Sequence, residues 1–168
     1  MKLQNLVSRL EKKHHKKLDL SLGRSFRLLK KLGSPQDKLK NVCTVVGTNS
    51  KASMAFSLKS ILNQAGYKCN VYSSPSLQSY TERFIFNDQE ISEENLIELL
   101  EDVEKILGND NATLFEIFTC AFIKYAENFK ENINIIEAGL FHQFDSTNVF
   151  KENTLSLLGV IHSDHYLW

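Results

Sequence analysis

Cysteine, proline and long apolar runs are scarce in this chain, and each shortage argues against a class of protein. The three cysteines among 168 residues are odd in number, share no Cys-x-x-Cys spacing and have apolar neighbours, which argues against a disulfide framework or a zinc site. We expect Cys43, Cys69 and Cys120 to be buried thiols in a reducing compartment. No run of about 18 apolar residues occurs and the charged N-terminal segment lacks an apolar signal core, so we expect a soluble, cytoplasmic protein without membrane contact.

The charges balance overall but not along the chain. There are 20 Lys and Arg against 20 Asp and Glu, so the formal net charge is zero. Residues 1–40 hold twelve of the basic side chains and three of the acidic ones, which leaves eight and seventeen for the rest. We interpret the basic part as a solvated helix face, with attraction for an anionic ligand or for nucleic acid as the alternatives. No nucleic-acid recognition motif accompanies the charge, so nucleic acid is not an expected partner.

Two short amphipathic helices are predicted before residue 41, because apolar residues recur there at helical spacing. They are Leu3, Leu6, Val7 and Leu10 in the first helix, and Phe26, Leu28, Leu29 and Leu32 in the second. We treat residues 1–40 as an N-terminal helical segment and residues 41–168 as the main domain.

From residue 41 onward, strand patterns alternate with helix patterns. Strands are predicted at NVCTVV, KCNVYSS, ERFIF, INIIEAG and TLSLLGVI, and helices at SMAFSLKSILNQAG, after Ser92, and from Thr113 to Phe129. This order predicts an α/β fold with a parallel sheet between two helix layers and with ligands at the carboxyl ends of the strands. The segment from Tyr72 to Phe86 is predicted to be a mobile loop over that edge, because it offers little apolar burial.

The stretch VVGTNSKASMAF, residues 45–56, joins a predicted strand to a predicted helix. It fails the strict phosphate-loop pattern GxxxxGK[ST], because Val45 and Ser50 stand at the glycine positions. Lys51 nevertheless supplies a positive charge, Ser53 a hydroxyl that suits magnesium, and the helix N-terminus a favourable dipole. Two interpretations stay open from the loop alone, a nucleotide site and an ordinary strand-to-helix turn.

Further motifs make the chain resemble the folylpolyglutamate synthase and dihydrofolate synthase family, a branch of the Mur-type ATP-dependent amide ligases. Gly47 to Ser53 matches five of the seven positions of the family loop GTNGKGS. The other matching segments follow in the family's order: LGSPQDKL, SSPSL, Glu82-Arg83 with NDQEIS, LFE, EAGLFHQFDSTN and Asp164-His165. The resemblance covers about residues 22–168, and the co-occurrence is more specific than any single motif.

The resemblance implies a P-loop-type, three-layer α/β/α fold and an enzyme that joins glutamate to a pteroate or folate carboxylate through an acyl phosphate. It implies ATP and Mg²⁺ as cofactors, with dihydropteroate or reduced folate and L-glutamate as substrates. The implied ATP-binding residues are Gly47, Thr48, Asn49, Ser50, Lys51, Ala52 and Ser53. The implied catalytic residues are Lys51, Glu137 and His165, the metal ligands Ser53, Glu137 and His165, and the substrate-binding residues Ser74, Pro75, Glu82 and Arg83.

The chain also departs from the family pattern. Ser50 and Ala52 replace loop glycines, so we expect both positions to strain the loop and weaken phosphate binding. Phe141-His142-Gln143 replaces a Gly-Gly-Arg segment, and Ser76 replaces a histidine. Family members run to more than twice this length, so we expect a partial ATP-binding domain without its C-terminal domain, and a monomer if full length.

Other functions remain as alternatives. Another Mur-type ligase, of cell-wall synthesis, is less favoured because only 46 residues precede Gly47, where those enzymes place a separate substrate domain. A truncated, catalytically inactive nucleotide-binding fragment or an interaction module is the other alternative. We expect the chain alone to bind MgATP weakly and to perform no glutamate ligation.

Overall fold

The computed structural model describes residues 2–14, 21–140 and 142–162. The α-helices in these ranges are α1 (Lys2–Lys13), α2 (Gly23–Lys31), α3 (Lys51–Gln64), α4 (Glu93–Leu107) and α5 (Leu114–Ala126). The strands are β1 (Val42–Val46), β2 (Cys69–Tyr72), β3 (Phe84–Phe86), β4 (Gln89–Glu90), β5 (Ile133–Glu137) and β6 (Leu155–Leu158). Within the described ranges, no helix combines the length and apolarity needed to cross a bilayer.

The strands form one sheet in the order β4-β3-β2-β5-β1-β6. Strands β2, β5, β1 and β6 are parallel, which confirms the predicted α/β fold. The prediction of a parallel sheet is wrong at one edge, where β3 pairs antiparallel with β2, and β4 with β3. The reason is the short connection from Ser73 to Arg83, since a parallel return needs a crossover of about a dozen residues or more.

Helices cover both faces of the sheet. On one face, α1, α2, α4 and α5 contribute to a large apolar cluster with β2 and β3, and on the other face α3 packs on a smaller cluster from β1, β2 and β5. The apolar stripe predicted for α1 is confirmed, because the four leucine and valine positions are its buried residues. In α2 the prediction is wrong for Phe26, which is 44% exposed. Ser25 is buried in its place, and its carbonyl accepts a weak hydrogen bond from the Cys120 thiol of α5 at 3.8 Å.

The three cysteines are free thiols and are all buried, as predicted. Burial raises the pKa of each thiol, and that of Cys69 rises to about 11. A thiol with a raised pKa carries little thiolate at neutral pH and is therefore a poor metal ligand or nucleophile. These side chains act as small apolar residues of the core.

A pair of buried amides joins β2 to β5. Asn70 and Asn134 are register partners in the two parallel strands, and both are fully buried. The Asn70 Nδ2 donates to Asn134 Oδ1 at 2.9 Å, and Asn134 Nδ2 donates to the carbonyl of Lys40 at 2.9 Å. The backbone N–H of Asn87 donates to Asn70 Oδ1 at 3.0 Å, so both amides are satisfied inside the sheet.

The segment between β2 and β3 is more buried than predicted. Tyr72, Phe84 and Phe86 enter the large apolar cluster, and the rings of Tyr72 and Phe84 lie edge to face with their centroids 5.7 Å apart. The premise of little apolar burial is therefore wrong at both ends of the segment. Its middle does reach solvent, because Leu77 is 93% exposed.

Candidate functional site

A cleft lies at the carboxyl ends of β1 and β5, the edge of the sheet where parallel strands place their ligands. Its volume is about 270 Å³. The cleft is lined by the loop after β1, the segment after β5 and the segment after β6. The lining residues are Val46, Gly47, Thr48, Lys51, Ala138, Gly139, Leu140, His142, Ile161 and His162.

The loop after β1 is a strand-to-helix turn in which two residues have positive φ. Gly47 has φ 151° and Ser50, the residue before α3, has φ 66° in the left-handed region. The prediction of strain is therefore confirmed for Ser50. It is wrong for Ala52, because that residue already lies in the first turn of α3, where any L-residue is comfortable.

Lys51 is the first residue of α3 and reaches back over the loop. Its ammonium donates to the carbonyls of Gly47 at 2.9 Å and Thr48 at 3.3 Å. The positive end of the α3 dipole points to the same region, so charge and helix dipole together favour an anion in the cleft. Both features would favour a phosphate group at this turn.

Glu137 ends β5 directly before Ala138, a lining residue of the cleft. It is only 2% exposed and pairs in register with Val45 of β1. Burial raises the pKa of Glu137, while the N–H of Ser74, Lys51 and Arg83 lower it in part. A buried carboxylate with a raised pKa next to a lysine is an arrangement that a divalent cation would stabilise in its charged form.

The structure brings Ser74 to Glu137, a contact that the sequence did not indicate. The backbone N–H of Ser74 donates to Glu137 Oε2 at 3.1 Å, although 63 residues separate them. Ser53, the predicted hydroxyl ligand, is exposed on α3 and is not among the lining residues. His165, the third predicted metal ligand, lies outside the described residues.

Two of the predicted substrate-binding residues hold the loop between β2 and β3. The Glu82 carboxylate accepts hydrogen bonds from the N–H groups of Leu77, Gln78 and Ser79 at 2.8 to 3.0 Å. These bonds lower the pKa of Glu82, although burial opposes them weakly. The side chain therefore organises the turn that follows Pro75.

Arg83 is buried in an aromatic cage. Its guanidinium carbon lies 5.0 Å from the ring centroid of Phe118 and 5.7 Å from that of Tyr72. Its Nε donates to the carbonyl of Ser73 at 3.2 Å. This cation fixes the residue that precedes Ser74, and so supports the contact between Ser74 and Glu137.

The segment after β6 closes the cleft against the loop. Thr48 N–H donates to the carbonyl of Val160 at 2.9 Å, and Thr48 Oγ1 accepts from the N–H of His162 at 3.0 Å. A Cβ on Gly47 would come within 3.1 Å of the Gly159 Cα, so the two glycines allow the close approach. The predicted strand TLSLLGVI gave no indication of this contact, because it depends on how β6 pairs with β1.

Asp145 fixes the segment after β5. Its carboxylate accepts from the N–H of Leu140 at 2.8 Å and from the N–H of Thr147 at 2.9 Å, and it is buried. A Cβ on Gly139 would lie 2.5 Å from Asp145 Oδ2, so only glycine fits there. The run Asp-Ser-Thr-Asn is a turn signal that could have pointed to this role.

The oxygen atoms near the cleft match the usual ligands of a hard cation only in part. Mg²⁺ is usually held by one or two carboxylates together with substrate phosphates and water. Glu137 supplies one carboxylate, and the hydroxyls of Ser53 and Ser74 are candidate second donors. Among the residues that the structure describes, no group of three or more His, Cys, Asp or Glu side chains converges on a metal position.

No family model matches the chain. Individual relatives do match. The dihydrofolate synthase/folylpolyglutamate synthase of Escherichia coli is 34% identical over 166 residues, which covers 99% of this chain and 39% of the relative. The protein of the same name in Bacillus subtilis is 37% identical over 151 residues, or 86% of this chain and 35% of the relative.

Solved structures match the fold. E. coli FolC in complex with DHPP and ADP gives a TM-score of 0.90 at 34% identity, covering 99% of this chain and 40% of that one. The bifunctional folylpolyglutamate synthase/dihydrofolate synthase of Yersinia pestis, complexed with AMPPNP and Mn ion, gives a TM-score of 0.84 at 30% identity, over 93% of this chain and 38% of that one. The chain spans about two fifths of the length of the relatives that it matches. The chain is thus a homologue of the dihydrofolate synthase/folylpolyglutamate synthase family, over a part of those proteins.

Proposed function

We propose that the chain supplies the nucleotide-binding part of an ATP-dependent ligase that adds glutamate to a pteroate or folate carboxylate through an acyl phosphate. The observation that carries the proposal is the loop from Gly47 to Lys51, with a lysine, a helix N-terminus and Glu137 at one edge of the sheet. The relatives named for this reaction, and the nucleotide complexes among them, support the same assignment.

In this proposal the residues of the site have separate roles. Lys51 neutralises phosphate oxygens, and its two carbonyl contacts are the bonds that it would exchange for them. Glu137 and a serine hydroxyl would hold a divalent cation, Mg²⁺ in our proposal. When bound, it would supply positive charge to balance the charge that develops on a transferred phosphoryl group. The β2–β3 loop, fixed by Glu82 and Arg83, carries Ser74 and Pro75 toward the pteroate or folate substrate.

Calorimetric titration of MgADP into the chain tests the nucleotide site. We expect Lys51→Ala to weaken binding by at least about tenfold, since it removes a charge-assisted contact. Lys59→Ala is the matched control, because Lys59 lies on the same helix and its Nζ is 4.0 Å from the Asp88 carboxylate. Equal affinity of Lys51→Ala and the unchanged chain would remove Lys51 from the site.

Two further variants identify the hydroxyl ligand. Ser53→Ala and Ser74→Ala are compared for their MgADP affinity and for their affinity toward ADP in the presence of a chelator. The variant that loses a metal ligand weakens MgADP binding and leaves metal-free ADP binding unchanged. If neither variant changes the metal dependence, the serine assignment is wrong in both forms.

Substrate turnover decides between the ligase and the inactive alternative. ADP release is measured with MgATP, dihydropteroate or reduced folate, and L-glutamate. Release that requires glutamate supports the ligase and shows which acid is used. Nucleotide binding without any release favours the alternative of a nucleotide-binding fragment.

A further inference from the structure

We infer that the buried hydroxyls of Tyr72 and Thr119 are positioning groups of the candidate cation site, which consists of Glu137 with a serine hydroxyl. Neither side chain lines the cleft. Both act through a continuous series of hydrogen bonds that runs from α5 to the end of β5. Their role depends on the proposed function, in which this site binds a divalent cation.

The peptide unit between Ser73 and Ser74 is held on both sides. Its N–H, that of Ser74, donates to Glu137 Oε2 at 3.1 Å. Its carbonyl, that of Ser73, accepts from Arg83 Nε at 3.2 Å. Because a peptide unit is planar, the direction of its carbonyl also fixes the direction of its N–H. The orientation of the Arg83 guanidinium therefore sets the contact between Ser74 and Glu137.

Tyr72 holds the same guanidinium through a second nitrogen. Arg83 Nη2 donates to the Tyr72 hydroxyl at 3.4 Å, and Tyr72 is fully buried. The aromatic rings around Arg83 attract its charge without supplying a directional acceptor. Two hydrogen bonds from different nitrogens of a planar guanidinium do fix its rotation. The Tyr72 hydroxyl is thus one of the two groups that aim Arg83 at the Ser73 carbonyl.

Thr119 of α5 holds the Tyr72 hydroxyl in turn. Its Oγ1 lies 3.3 Å from the Tyr72 hydroxyl and 2.9 Å from the carbonyl of Phe115. The Ser146 hydroxyl donates to the same Oγ1 at 2.9 Å. A hydroxyl has one proton and two lone pairs, so these three contacts use its full capacity. Because Ser146 belongs to the turn after β5, Thr119 connects the segments on both sides of Glu137.

Packing alone does not require either hydroxyl. The Tyr72 ring lies among other rings, with its centroid 5.2 Å from that of Phe122, and Thr119 is a buried residue of α5. Phenylalanine and valine would fill the same space, and a buried hydroxyl is unfavourable unless it is hydrogen-bonded. Substitutions that remove the hydroxyl and keep the shape therefore separate orientation from packing.

Amide hydrogen exchange at Ser74, followed by NMR, measures the contact with Glu137 without any ligand. We expect Tyr72→Phe and Thr119→Val each to make this exchange about three- to tenfold faster, as for the weakening of one hydrogen bond. Thr119→Ser keeps the hydroxyl and should retain the original rate.

Cys120→Ala is the matched control. Cys120 follows Thr119 on α5 and is buried, but its thiol contacts the carbonyl of Ser25 on α2. This variant opens a small cavity beside the same helix and leaves the hydroxyls in place. We expect exchange at Ser74, relative to the amides of β1, to be unchanged in Cys120→Ala.

Titration with nucleotide tests the effect on the cation site. We expect Tyr72→Phe and Thr119→Val to weaken MgADP binding by about three- to tenfold and to leave ADP binding in the presence of a chelator unchanged. The double variant should lose no more than the weaker-binding single variant, because both hydroxyls act through Arg83. A general loss of fold would weaken both forms of the nucleotide alike.

Unchanged exchange at Ser74 in Tyr72→Phe and Thr119→Val would overturn the positioning role. So would faster exchange with the same MgADP affinity, because the hydroxyls would then have no effect on the cation site. In either case, a loss of affinity in Lys51→Ala would leave the proposed nucleotide site standing. If the unchanged chain does not bind MgADP, the proposed function fails and the role at its cation site fails with it.

Discussion

Ser50→Gly is expected to stabilise the fold, whereas Ala52→Gly is expected to destabilise it. Ser50 sits at φ 66° and makes no side-chain capping bond to α3, so glycine relieves strain without removing a capping bond. A left-handed L-residue costs about 1 to 2 kcal/mol. The added freedom of glycine in the unfolded chain offsets about 0.4 to 1 kcal/mol of that. The net gain expected for Ser50→Gly is about 1 kcal/mol.

Ala52 provides the matched control because it differs in backbone conformation. It is an exposed residue in the first turn of α3, where glycine costs about 0.5 to 1 kcal/mol relative to alanine. For a chain of this size, 1 kcal/mol corresponds to a shift of about 2 to 4 °C in Tm. Urea unfolding followed by circular dichroism, together with thermal unfolding, measures both variants.

The same pair of variants separates strain in folding from strain in binding. Ser50 already has the left-handed conformation in the ligand-free chain, so its cost falls on folding. We therefore expect Ser50→Gly to change the MgADP affinity by less than about twofold, which is below 0.5 kcal/mol. Equal signs of the stability change in the two variants would refute the conformational argument. A large gain in affinity with glycine would instead place the strain in the binding step.

Three further substitutions test other parts of the site. Burial raises the pKa of Glu137, so the buried carboxylate destabilises the fold once the pH exceeds the ordinary glutamate range and the group loses its proton. In thermal scans without metal, Glu137→Gln should therefore raise Tm at neutral pH and leave it unchanged near about pH 4. Gly159→Ala puts a Cβ 3.1 Å from a methionine sulfur and should cost about 1 to 3 kcal/mol in urea unfolding, whereas Gly23→Ala in α2 should be neutral or stabilising. Arg83→Met should lower the free energy of unfolding by about 2 kcal/mol, because it leaves the Ser73 carbonyl unpaired. An unchanged stability would contradict this structural role and favour a role of Arg83 in substrate binding.

The elements of the fold could be predicted because their signals are local. Ser92 caps α4 by accepting from the N–H of Asn95, as its position before an acidic first turn suggested. The apolar stripe of α1 and the strand, loop and helix around Lys51 also follow from short-range patterns. The direction of β3 and the short strand β4 were not predicted, because pairing direction depends on the length and path of a connection.

The details of the site depend on contacts between distant segments, and no local pattern contains them. The bond from Ser74 to Glu137 joins residues 63 positions apart, and the bonds between Thr48 and His162 span 114 positions. The Glu82 carboxylate accepts from three nearby backbone N–H groups, a structural role that the predicted assignment to substrate did not include. The spacing of Glu82 from those groups is local, so the sequence of the turn does carry a signal for this role.

The buried amide pair in the sheet also sets the distance at which the site residues meet. A slip of β2 along β5 by two residues keeps every side chain on its own face, so apolar patterning alone resists it weakly. The same slip would separate Asn70 from Asn134, which are fully buried, at about 1 to 3 kcal/mol for each polar group left unpaired. It would also carry Ser74 roughly 6.6 Å along the strand direction, away from Glu137. The amides of Asn70 and Asn134 lie outside the cleft but fix the register that sets the distance between Ser74 and Glu137. Replacing both with apolar residues would make that distance less well defined, although neither residue contacts the cleft.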